Sequence, residues 1–115
     1  MFQVVFYSTP AGNEIVRDFL RQLPIGDKKK VGEDLMTVQI GYPMGLPLCR
    51  PLGDGLVDVR TSLPSKREIR IIFAFDSDAQ YLVALHAFIK KTQRTPKSDL
   101  DLAKSRKNEF IMKGG

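Results

Sequence analysis

The sequence predicts an α+β fold in which two N-terminal helices pack on an antiparallel, mostly meander sheet of about four strands, followed by a C-terminal helix. Three observations predict it. The chain opens on a β-branched and aromatic run, Phe2 to Tyr7. Apolar residues then recur at helical spacing through two segments between positions 10 and 40. From Gly55 to Lys90, three runs alternate apolar and polar residues with only short turns between them.

Composition narrows the classes. A chain of 115 residues suffices for one domain, 1–115, with one core. Its 43% hydrophobic content argues against a disordered chain. No apolar run approaches the roughly 18–20 residues of a membrane-spanning helix, and the opening Met1-Phe2-Gln3 lacks the basic segment of a signal peptide. Cys49 and His86 are the sole residues of their types. An intrachain disulfide is therefore impossible, a metal or other cofactor is not expected, and a reducing cytoplasm fits. The formal net charge of +5 favours an anionic partner only weakly, because the placement of the charges matters more than their sum.

Taken in order, Phe2 to Tyr7 forms the first strand. Thr9 caps a helix over about 10–23 whose first residue, Pro10, needs no N–H partner. Ile15, Phe19 and Leu23 line its apolar face. Asp27 caps a second helix over about 28–40, striped by Val31, Leu35 and Val38 or Ile40. Lys28, Lys29 and Lys30 in its first turn read as a solvated face or a nucleic-acid contact. Residues 42–55, rich in proline and glycine, read as a loop with at most a short edge strand near Leu48 to Arg50. Cys49 has no activating base nearby and reads as packing.

Strand parity then carries the argument. In Gly55 to Ser62, Val57, Val59 and Thr61 share one side; in Arg67 to Phe75, Ile69, Ile71, Phe73 and Phe75 do. In Gln80 to Lys90, strict alternation puts Tyr81, Val83, Leu85, Ala87 and Ile89 together. With those sides on the helices, Arg60, Arg70, His86 and Lys90 project from the other face, opposed there only by Asp58 and Glu68. Guanidinium, ammonium and imidazole on one face make an anion-binding surface with a proton-transfer group in it. The competing reading is the wet side of a half-exposed sheet. Thr95-Pro96 opens the last helix, with Asp99 and Asp101 in its first turns, Leu100, Ala103 and Phe110 apolar, and Arg106, Lys107 and Lys113 making its end basic.

The runs Leu52-Gly53-Asp54-Gly55-Leu56-Val57-Asp58-Val59-Arg60, Arg67-Glu68-Ile69-Arg70 and His86 to Pro96 resemble the phage-derived, HigB-like toxins of the RelE/ParE superfamily, in order over nearly the whole chain. Val57-Asp58 stands where that group often has Tyr-Glu, and Ala87 where it has Gly; neither departure removes a cation. The resemblance implies a compact toxin that cleaves messenger RNA on the translating ribosome without metal. It also implies neutralisation by a small helix-turn-helix, HigA-like antitoxin. The expected partners are thus that antitoxin, message in the ribosomal A site and ribosomal RNA, with no membrane.

Such cleavage needs cations on the phosphoryl oxygens and groups that move protons. Arg60 and Arg70 suit the first role, since a guanidinium grips phosphate bidentately. His86 suits the second, and Lys90 is placed in the site by parity. Lys91 and Arg94 are expected to hold flanking RNA, Lys66 and Arg67 to touch phosphate from the hairpin turn, and Phe88 to stack on a base or to pack in a small core. The alternatives are a ParE-like gyrase inhibitor of the same fold, or a non-catalytic RNA- or protein-binding module.

Overall fold

The computed structural model describes residues 1–76, 78–91 and 93–112. Ser77 of the expected second turn, Thr92 of the motif and Lys113 lie outside the described residues. The elements are β1 (Gln3–Phe6), α1 (Ile15–Arg21), α2 (Ile25–Gly41), β2 (Cys49–Gly53), β3 (Leu56–Ser62), β4 (Glu68–Asp76), β5 (Tyr81–Ile89) and α3 (Lys97–Met112). The class is the α+β one expected, but the sheet has five strands in the order β1-β5-β4-β3-β2. β1 runs parallel to β5, and the other pairings are antiparallel. Local pattern could not show the parallel pair, because both helices and the meander intervene between its strands. β2 proves longer than expected and tolerates Pro51 because it is an edge strand.

Both early helices differ from expectation at their starts. Thr9 closes a turn instead of capping a helix: its hydroxyl accepts from Asn13 N–H at 3.1 Å, and its carbonyl from Gly12 N–H at 2.8 Å. Gly12 takes φ +89 there, so α1 begins only at Ile15. Pro24 precedes the first residue of α2, which places Asp27 inside the first turn. Asp27 is 2% exposed and accepts from Ser65 N–H (3.2 Å), Ser65 Oγ (2.8 Å) and Arg67 Nη2 (3.4 Å), tying α2 to the β3–β4 hairpin.

α1 and α2 cover one side of the sheet, where Val57, Val59, Ile69, Ile71, Phe73, Leu82 and Ala84 meet Val16, Val31 and Val38. The opposite side is not open. α3 lies on it, and Leu100, Ala103 and Phe110 join Tyr7, Leu56, Ile72, Ala74, Val83 and Leu85 in a second cluster. Strict alternation fails in β5, where Ile72 pairs with His86 but Phe73 with Ala84, leaving Leu85 as an extra residue. The bulge switches sides: Leu82 and Ala84, then Ala87 and Ile89, face α1 and α2. Tyr81, Val83 and Leu85, which alternation alone grouped with Ala87 and Ile89, lie on the α3 side.

Candidate nucleic-acid interface on the second sheet face

The bulge leaves His86 and Phe88 in phase with the polar residues of β3 and β4. Register builds three rows across the strands: Asp58–Ile72–His86, Arg60–Arg70–Phe88, and Ser62–Glu68, which Lys90 extends by donating its N–H to Glu68 O at 2.8 Å. Arg60, Arg70, His86 and Lys90 are thus gathered in adjoining rows. Their surroundings divide them into a covered end and an open end.

At the covered end, His86 Nε2 lies 2.6 Å from Asp99 Oδ1 of α3, and Nδ1 lies 3.5 Å from Arg106 Nη1. Because Arg106 can only donate, this geometry assigns Nδ1 as acceptor and Nε2–H as donor to Asp99. Arg106 also donates to Leu85 O at 2.8 Å and sits over the Tyr7 ring. Burial and the carboxylate of Glu109 raise the Tyr7 hydroxyl above its usual pKa. Phe88 stacks on His86 at 5.6 Å, so its ring is joined to the α3 cluster rather than presented alone.

Arg70, fully buried, donates from Nε to Glu68 Oε2 and from Nη2 to Gln93 O, both at 3.0 Å. It pins the segment after β5 over the sheet. Asp58 is equally buried; its Oδ2 accepts from Arg60 Nε at 3.3 Å and more distantly from Thr95 Oγ1 at 3.5 Å. Burial pushes the Asp58 carboxyl up, against the opposing pull of Arg60 and Arg70. Asp58 Oδ1, Arg60 Nη2 and Arg70 Nη1 are buried without a hydrogen-bond partner among the described residues. Unpaired buried polar atoms on adjoining rows call for a reason other than packing.

The open end holds Arg60, Ser62, Glu68 and Lys90, whose Nζ lies 4.0 Å from Glu68 Oε2. Arg60, Ser62 and Glu68 line a cleft of about 560 Å³ completed by Lys30 and Asp34 of α2 and by Leu46, Pro47 and Leu48. Lys66, Arg67, Lys91 and Arg94 are exposed, Lys66 at the hairpin tip with φ 71 and Arg67 turned to Asp27 of α2. Cys49 is wholly buried and its thiol is pushed up to about 11 by burial and by Asp58, which removes it as a nucleophile. Among the described residues, no group of His, Cys, Asp and Glu side chains converges in a way that could hold a metal.

Sequence reasoning placed Glu68 on this face by strand parity and read Lys30 only as part of a basic run. It missed Asp99 and Arg106, which come from a helix whose docking leaves no local signal. No helix is long and apolar enough to cross a membrane among the described residues. No curated protein matches the chain significantly. The family model described as "Phage derived protein Gp49-like (DUF891)" matches residues 18–108, a span running from α1 into α3 and containing all three rows. The chain therefore belongs to the Gp49-like phage-derived family, a family of the RelE/HigB-like toxin type.

Proposed function

We propose that this chain is the toxin of a type II toxin–antitoxin pair and acts in the cytoplasm as a metal-free messenger-RNA endoribonuclease on the translating ribosome. The observation that carries the reading is the three-row arrangement of Arg60, Arg70, His86 and Lys90 on one sheet face beside an open cleft. In the reaction, the ribose 2′-oxygen loses its proton to a base and bonds to phosphorus. The bond from phosphorus to the 5′-oxygen breaks, and that oxygen takes a proton from an acid. The products are a 2′,3′-cyclic phosphate and a 5′-hydroxyl end.

Arg60 and Lys90, at the open end, stabilise the charge on the phosphoryl oxygens. Arg70 acts from beneath, holding Glu68 and the Gln93 carbonyl. His86 moves protons once α3 gives up a ring nitrogen, with Asp99 setting its tautomer. Lys66, Arg67, Lys91 and Arg94 hold flanking message or ribosomal RNA, and a helix-turn-helix antitoxin neutralises the protein.

The test is brief induction followed by mapping of message 5′ ends, with Arg60→Ala and Lys90→Ala as variants. The expected result is new RNA ends that fall about a hundredfold in each variant. Growth arrest with DNA breaks and intact messages would sink the reading in favour of gyrase inhibition. Two observations favour a second reading, a non-catalytic RNA-binding module: both ring nitrogens of His86 are engaged and Arg70 is fully buried. That reading predicts RNA binding with no new ends.

A further inference from the structure

The cleft at the open end contains more than the reaction requires. Its walls come from three places: Lys30 and Asp34 of α2, the apolar run Leu46-Pro47-Leu48, and the edge formed by Arg60, Ser62 and Glu68. The charges in and behind it can be paired off. Asp34 is 3.2 Å from Lys30, and Glu68 is 3.0 Å from Arg70 and 4.0 Å from Lys90. Asp58 takes only Nε of Arg60, and Arg60 Nη2, though buried, is left without an acceptor among the described residues. Lys30 and Arg60 on the lining are matched in number by Asp34 and Glu68, but Glu68 is also shared with Arg70 and Lys90, so cations outnumber acids in and behind the cleft. The same lining carries apolar side chains, Leu46 among them at 66% exposed. Cations and apolar side chains on one cleft of this size match a nucleotide, whose phosphate needs the guanidinium and whose base needs a dry surface.

We propose that this cleft is a nucleotide subsite of single-stranded RNA, in which Arg60 and Lys30 hold the phosphate and the Leu46–Leu48 wall covers the base. The inference rests on the RNA reading above and extends it to α2 and to the segment before β2, which contribute nothing to the rows. Lys30, whose side chain is 41% exposed, exchanges its half-buried Asp34 partner for the phosphate. The strand thus enters beside α2 and passes Arg60 before reaching Lys90.

The experiment measures binding of a fluorescein-labelled RNA hexamer to the purified protein and to Lys30→Ala, Lys30→Arg and Leu46→Glu, with inorganic phosphate and a DNA hexamer as competitors. Leu46 and Lys30 are exposed enough for the variants to fold, which melting curves check. Lys30→Ala is expected to weaken binding about fivefold and to lower the salt slope by about one. Lys30→Arg restores both, and Leu46→Glu weakens binding at least as much as Lys30→Ala. RNA competing far better than phosphate supports a nucleotide over a bare anion, whereas equal competition by phosphate overturns it. Competition by DNA as strong as by RNA overturns the RNA assignment. Unchanged binding by both Lys30→Ala and Leu46→Glu overturns the subsite, as does a parent protein that binds no hexamer. The subsite and the nuclease fail differently: tight binding sensitive to Lys30 but with no cleavage on ribosomes removes only the nuclease, and cleavage indifferent to Lys30 and Leu46 removes only the subsite.

Discussion

The two sides of the sheet bury residues to similar depth but by different chemistry. Against α1 and α2, Val57, Val59, Ile69, Ile71 and Phe73 are each no more than 1% exposed. Against α3 and the segment that leads into it, Asp58 and Arg70 are wholly buried among Leu56, Ile72 and Leu85. The first side is stabilised by removing apolar surface from water. The second has to desolvate ions, which well-placed partners only partly offset, and here several buried atoms have none. A surface selected only for stability would replace such groups with hydrocarbon. The α1/α2 side therefore holds the fold, and the α3 side gives up stability for a constellation of charges.

The comparison predicts the largest loss on the apolar side. Phe73→Ala, at a wholly buried position, is expected to cost about 3–5 kcal/mol by chemical denaturation. The loss should change little with pH, as no titratable group is removed. A cost near that of an exposed site would overturn the assignment of this side as the structural core.

Asp58→Ala comes next, at about 3 kcal/mol, because it leaves the partly buried Arg60 guanidinium without its carboxylate and removes the negative charge that Arg70 feels. This effect carries a pH signature. The folded-state pKa of Asp58 is raised, mainly by burial. The folded protein therefore holds this proton to higher pH than the unfolded chain does. The contribution is fully present below the ordinary carboxylate range and is lost as pH rises through the raised folded value. Asp58→Asn removes that part of the stability–pH slope, and a slope identical to the parent's would show that Asp58 is not the group responsible.

The difference between the sides also explains what could be read in advance. The α1/α2 side is local information: Val57-Val59 and Ile69-Ile71-Phe73 announce a strand face by period alone. Arg60 and Arg70 were legible for the same reason, being the off-phase residues of those strands. β5 was misread over Tyr81 to Leu85 because a bulge shifts phase without any proline or glycine to mark it. The parallel β1–β5 pair, the place of Asp27 and the Asp99–His86 contact depend on long-range docking, which no residue pattern near them records.

Thr61 sharpens the contrast from the apolar side. It is 1% exposed, and its Oγ1 has no hydrogen-bond partner among the described residues. Thr61→Val keeps the shape and removes the orphan, so a gain of about 1 kcal/mol is expected in the same denaturation assay. A loss would mean that the hydroxyl has a partner in solution and that this side is less dry than its neighbours imply.

The smallest effect belongs to α3. His86 and Asp99 keep 15% and 24% of their side chains exposed, so their contact is partly screened. Asp99→Asn is expected to cost about 1 kcal/mol or less. Its informative readout is local: amide hydrogen exchange should quicken in α3 and leave β4 unchanged. By contrast, Lys97 and Asp101 pair at 2.8 Å on the outer surface of the same helix, 88% and 53% exposed, and Asp101→Ala should leave both Tm and exchange at the parent values. If Asp99→Asn loosens β4 together with α3, the two sides of the sheet form one cooperative unit, and the charged face is as much a part of the structural core as the apolar one.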